Sequence, residues 1–228
     1  MTATSAWRIE MAGRRVAILI SGRGSNMAAL IEAASAADYP AEIVLVVSNI
    51  AGAGGLAIAE GAGIATATVE SKPFGKDREA FERKLQETLL AHDIELVCLA
   101  GFLRLLTPWF VGQWEGRMLN IHPALLPSYR GLHTHERALA DGVKIHGATV
   151  HFVVPEMDSG PIVMQGAVAV GDDDTPERLA ARVLDVEHRI YPDALRLVAS
   201  GQTRIENGIC RTSARGSPDD ALIAPAVI

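Results

Sequence analysis

Cysteine is scarce: Cys98 and Cys210 are the only two in 228 residues. That leaves no disulfide framework and no Cys-rich zinc pattern, and it suits a reducing compartment, so a cytoplasmic location is expected. Long Lys/Arg runs are missing as well, and the formal net charge is −6. A nucleic-acid surface needs clustered cations to neutralise phosphates, so nucleic acid is not an expected partner. An anionic substrate would be held by local groups rather than gathered by a global field. No apolar run reaches the roughly 18 residues of a membrane span; even Leu96–Val111 is broken by Arg104 and Pro108. Residues 1–14 mix Trp7, Arg8, Glu10 and Arg14, without the apolar stretch and small-residue cleavage site of a signal peptide.

What is present is a globular pattern. With 49% hydrophobic residues the chain can bury a substantial core. One domain is expected over residues 15–200, between an N-terminal extension (1–14) and a C-terminal tail (201–228) where periodicity fades and Ser, Gly, Pro and charge accumulate. Short β-rich runs alternate with longer helical ones, which predicts an α/β fold with a mostly parallel sheet flanked by helices. The strands are expected at Val16–Ile20, Ile43–Ser48, Thr66–Val69, Leu96–Leu99, Met118–Ile121, Ala148–Val153 and Ile162–Val168. Helices are expected at Met27–Ala36, Gly55–Gly61, Lys76–His92 and His135–Asp141, with a last one opening at Thr175-Pro176. Pro192 falls inside that last helix and should bend it, because proline removes a backbone donor.

The run Ser21-Gly22-Arg23-Gly24-Ser25-Asn26 sits between an apolar strand and a helix. Its amides and the helix N-terminus can hold an anion such as phosphate. A dinucleotide fingerprint is excluded, because Met27 stands where the third glycine belongs and the second strand ends in Ser48-Asn49 without a ribose-binding acid. The absence of G-K-[ST] excludes a Walker loop. Read alone, the run fits a plain tight turn equally well.

Asn120-Ile121-His122-Pro123 and Met157-Asp158-Ser159-Gly160 each lie where an apolar strand gives way to a turn. Asn120 and His122 share one side of their strand by the period of two, and two polar side chains there are costly to bury without partners. An amide donor, an imidazole and a carboxylate are what acyl or formyl transfer needs: donors for an oxyanion and a group to move a proton. Asp158 beside His122 would favour the imidazolium form. His133, His135, His146 and His151 show no metal-ligand spacing and no supporting carboxylate pair; His133 and His135 are expected to cap a turn or line the pocket. Ser25 and Ser128 lack a G-x-S-x-G setting, so no serine nucleophile is assigned.

From about Val16 to Leu197 the chain resembles the phosphoribosylglycinamide formyltransferase family. The resemblance is carried by Ser21–Asn26, Ala100–Leu106, Leu119–Pro127, Gly131–His135 and His151-Phe152 through Asp158–Pro161. It implies a Rossmann-like formyltransferase fold, with Asn120, His122 and Asp158 as catalytic residues. Gly24, Ser25 and Asn26 would hold the phosphate of 5-phosphoribosylglycinamide, and Glu187 its ribose. Arg78, Leu103, Arg104, Leu105 and Leu106 would contact the co-substrate 10-formyltetrahydrofolate, with no metal. The loop formed by Val154, Pro155, Glu156, Met157 and Asp158 would close over the pterin. Arg23 and Arg130 stand where relatives are expected to carry smaller residues. The rival readings are formyltetrahydrofolate hydrolysis and a non-catalytic phosphate or folate sensor, and the assembly is expected to be a monomer or a homodimer.

Overall fold

The computed structural model describes residues 13–213, so most of the expected N-terminal extension and the last part of the expected tail lie outside the described residues. Its centre is a 7-stranded sheet in the order β3-β2-β1-β4-β5-β6-β7. The strands are β1 (Arg14–Ile20), β2 (Ala41–Ser48), β3 (Ala65–Thr68), β4 (Leu96–Leu99), β5 (Met118–His122), β6 (Ile145–Phe152) and β7 (Ile162–Ala169). Pairing is parallel from β3 to β5, and β6 and β7 add antiparallel to that edge. Helices α1 (Ser25–Ala34), α2 (Gly54–Gly61), α3 (Arg78–Leu90), α4 (Pro108–Gln113), α5 (Thr134–Ala140) and α6 (Pro176–Ala199) flank it.

The sequence of β1 explains its place in the interior of the sheet, between β2 and β4. Residues Val16 to Ile20 are all apolar and fully buried, and their alternate side chains enter different cores, as a sheet covered on both faces requires. Val16, Ile18 and Ile20 pack with Leu119, Leu179, Val183 and Tyr191, whereas Ala17 and Leu19 pack with Phe81, Leu85, Phe110 and Trp114. Helix α6 closes the first core. Thr175 caps it by accepting from the Arg178 N–H, Pro176 occupies its first turn, and it runs on through Pro192 to Ala199. The proline therefore does not end the helix.

Two elements depart from the sequence reading. The six-residue helix α4 is too short to show a period, yet Thr107 caps it and Phe110 and Val111 bury. The first part of the expected tail is a hairpin, β8 (Thr203–Glu206) with β9 (Ile209–Thr212). Its exposed Ile205 and Ile209 carry no clean inside-outside alternation that would have announced it.

The strand order places the site. From β1 the chain runs outward to β2 and β3, then returns to β4 on the other side of β1. A crevice opens at the carboxyl ends of β1 and β4, where the order reverses, and open α/β sheets bind ligands there.

Candidate active site

At that crevice the turn after β1 and the end of β4 line one cavity of about 150 Å³, walled by Gly22 to Asn26 with Ala100 and Gly101. Gly24 adopts φ 76°, and no side chain caps α1. The first N–H groups of α1 are thus left for an anion, with the helix dipole pointing the right way. Arg23, exposed in the same wall, adds a cation. Asn26 donates its amide to Glu187 Oε2 on α6 at 2.6 Å. Burial pushes the Glu187 carboxyl above its ordinary range, opposed by that bond. Asn26 Oδ1 is buried without a partner, which leaves an acceptor beside the cavity.

Along the same edge β5 ends in Asn120 and His122. Asn120 lies opposite His151 of β6 in the antiparallel register, and its Nδ2 is 3.2 Å from His151 Nε2. The other ring nitrogen of His151, Nδ1, is 2.8 Å from the Phe152 carbonyl oxygen and must donate to it, so Nε2 is the acceptor for Asn120. Burial pushes the His151 pKa below its ordinary value, partly offset by the Phe152 bond and Asp158, in keeping with a neutral ring. Asn120 is thereby oriented, with a second amide hydrogen to give elsewhere.

His122 is 5% exposed. Its Nε2 donates to the Tyr129 carbonyl at 2.9 Å, and its Nδ1 faces Asp158 Oδ2 at 3.5 Å. Asp158 is fixed in turn: Oδ2 accepts from the Gly131 N–H at 2.8 Å, and Oδ1 lies 3.9 Å from His151 Nε2. The turn that presents Asp158 needs the glycine two residues on. A Cβ on Gly160 would lie 1.7 Å from the Phe152 carbonyl oxygen, so no other residue fits.

A third group of expected residues meets in a groove of about 440 Å³ walled by Gly75, Lys76, Arg78, Leu103, Arg104 and Leu105. Leu106 turns instead toward the second core. The loop from Val154 to Asp158 is tied to its neighbour by Arg130–Glu156 at 3.3 Å and by the Gly131–Asp158 bond, and Met157 is 53% exposed. His133 takes the cap position of α5, but its side chain makes no cap bond. His135 and His146 pack edge to face at 5.3 Å, and burial, more than the neighbouring histidines, brings His146 down to about 4. Among the described residues no group of three His, Cys, Asp or Glu could hold a metal ion. His151 as the partner of Asn120 escaped the sequence reading, since only the pairing of β5 with β6 reveals it.

Comparison with known proteins gives this edge a family. Residues 14–195 match the formyl transferase family. The chain belongs to that family. It is similar to phosphoribosylglycinamide formyltransferase of Escherichia coli, 44% identical over 83% of this chain and 89% of the relative. The solved formyl transferase from Brucella melitensis, a phosphoribosylglycinamide formyltransferase, superposes with a TM-score of 0.79 at 54% identity, covering 83% of this chain and 97% of that one. The trifunctional purine biosynthetic protein adenosine-3 of Bos taurus is 50% identical over 86% of this chain, and the chain spans 20% of its length.

Proposed function

We infer that this chain transfers the formyl group of 10-formyltetrahydrofolate to the primary amine of 5-phosphoribosylglycinamide, a step of purine biosynthesis. The observation that carries this reading is the meeting, along one sheet edge, of an uncapped helix N-terminus with the Asn120 amide and the His122–Asp158 pair. The helix end with Gly24, Ser25 and Asn26 takes the phosphate, and Glu187 takes the ribose. The groove at Arg78 and Leu103 to Leu105 takes the folate, with Leu106 supporting the segment from behind. Val154 to Asp158 closes over the pterin.

The reaction needs no covalent enzyme intermediate. The amine attacks the formyl carbon, a C–N bond forms, and the carbonyl pair moves onto oxygen. Asn120 donates its second amide hydrogen to that oxyanion. His122 donates too, the oxygen replacing the Tyr129 carbonyl as acceptor from Nε2, while Asp158 faces the ring at Nδ1 and orients it. As the tetrahedral carbon collapses, the bond to the folate nitrogen breaks. The surplus proton of the amine passes to that nitrogen, directly or through a water held by Asp158. Holding both substrates in register contributes much of the rate, on the order of 7–11 kcal/mol when geometry is good. Residues 15–200 form the catalytic unit, in a monomer or a homodimer, working in the cytoplasm on small molecules.

The test is release of tetrahydrofolate from 10-formyltetrahydrofolate with and without 5-phosphoribosylglycinamide. Release should require the amine and fall by at least about 10³-fold in His122→Ala. Equal release without the amine would identify a hydrolase instead, and folate binding without release would identify a sensor.

A further inference from the structure

The segment from Leu103 to Leu106 belongs to no helix or strand, yet it exposes Leu103 at 76% and Leu105 at 62%. Such a stretch has no ladder of its own to hold its backbone in shape, so something else must. Two buried polar side chains lie at its ends. Leu103 N–H donates to the Ser21 hydroxyl at 2.8 Å. At the far end the Thr107 N–H donates to Glu82 Oε1 at 2.7 Å, and the Thr107 hydroxyl donates to Glu82 Oε2. Ser21 is 6% exposed and Glu82 1%. Neither residue belongs to the catalytic set proposed above.

We propose that Ser21 and Glu82 are positioning residues that clamp the folate-binding segment from both ends, and that Ser21 sets the register between the folate and phosphate subsites. Ser21 is the first residue of the turn that leads to the uncapped α1, and its own N–H donates to the Gly101 carbonyl at 3.1 Å. Its hydroxyl works both ways: it accepts from the Leu103 N–H and donates to Asn49 Oδ1 at 2.6 Å. Asn49 passes the connection on, its amide donating to the Ser71 hydroxyl at 3.3 Å, just ahead of the turn that enters α3. Glu82 lies one helical turn beyond Arg78 on that same α3. Two buried clusters therefore hold the folate segment, one tying its start to the phosphate turn and the other tying its end to the helix that carries Arg78. A buried carboxylate is a poor way to add stability, because apolar packing of the same volume does as well or better. Its value here is that two directed bonds fix a backbone that a hydrophobic contact would leave free to slide.

The proposal rests on the folate reading of the groove, and one measurement separates the two. If wild type fails to bind 10-formyltetrahydrofolate at equilibrium, both fall; if wild type binds and the variants match it, the proposal alone falls. Steady-state kinetics well below the thermal midpoint then give the decisive readout. Ser21→Ala should raise KM for both substrates about three- to tenfold with kcat nearly unchanged. Glu82→Leu should raise KM for the folate about tenfold or more and leave KM for 5-phosphoribosylglycinamide alone. Glu82→Gln keeps an acceptor for the Thr107 N–H and gains a donor to its hydroxyl, so it should bring the folate KM back to within about twofold of wild type. Thr107→Val, which removes the hydroxyl bond to Glu82 and the α4 cap but keeps the Thr107 N–H bond to Glu82, should raise the folate KM by a smaller factor and serves if Glu82→Leu does not fold. Lower thermal midpoints with both KM values unchanged would reduce the two clusters to structural support and overturn the proposal. A Ser21→Ala effect on one substrate only would overturn the shared register.

Discussion

Both ring nitrogens of His122 are engaged, one with the Tyr129 carbonyl and the other with Asp158, so its chemistry depends on which partner a substrate displaces. Asn120 is constrained in a similar way by a neutral His151. His151→Phe would keep the ring volume but remove the acceptor, leaving the Asn120 amide unoriented. We expect kcat to drop by about tenfold, less than the roughly 10²- to 10³-fold for Asn120→Ala, since only the orientation of the donor is lost. Single-turnover rates on the two variants would check the order, and equal losses would contradict it. Glu187 offers a test by pH. Its folded pKa is raised by burial, so the native state binds its proton more tightly than the unfolded chain does. The ionised form therefore lowers stability, fully so above the folded pKa, and the effect fades as pH falls to the ordinary carboxylate value of about 4.3. Glu187→Gln without substrate should accordingly melt higher than wild type at neutral pH and at the same temperature near pH 4, a comparison that thermal scans at several pH values would make.

Element junctions carry the next set of constraints, and the turn from Asp158 to Gly160 is the sharpest of them. An alanine at Gly160 would collide with the Phe152 carbonyl at the end of β6, so the turn would have to move, and Asp158 with it. Gly160→Ala should lower kcat by about 10²-fold, the scale of a misplacement near 1 Å, while circular dichroism and a cooperative melt confirm that the sheet persists. A near wild-type kcat would mean that the loop tolerates the shift. The need for this glycine was legible in the sequence only as a turn signal, because the oxygen it must avoid is brought there by tertiary pairing. The strands of the sheet were legible for a plain reason: runs such as Val16–Ile20 are apolar on both faces, and only a covered sheet accepts that. The cap Thr175-Pro176 was legible because its chemistry is local. What escaped was either too short for a period, as in α4, or lacked a clean alternation, as in the hairpin of β8 and β9. For the candidate site, turn position and residue type pointed to Asn120, His122 and Asp158, which the structure brings to one sheet edge, whereas the contacts of His151, Ser21 and Glu82 are with partners distant in sequence.

Across the whole molecule the sheet holds together groups that the chain keeps far apart. Asn26 and Glu187 are separated by 161 positions and bonded at 2.6 Å, one on α1 and the other on α6, which share the core against β1. A ligand that bridges them therefore bridges two helices whose packing is part of global stability. Binding to the folded state alone raises stability by about 2.7 kcal/mol at a concentration of 100 Kd. For a chain of this size that corresponds to a rise in the thermal midpoint of roughly 5–10 °C. We expect 5-phosphoribosylglycinamide alone to give such a rise in wild type and in His122→Ala, because the histidine lies outside the phosphate and ribose contacts. Glu187→Ala should lose much of the rise while keeping a cooperative melt. Thermal scans with and without the ligand would separate binding from chemistry. An equal rise in Glu187→Ala would show that the ligand does not span α1 and α6, and that its ribose is held elsewhere along the edge.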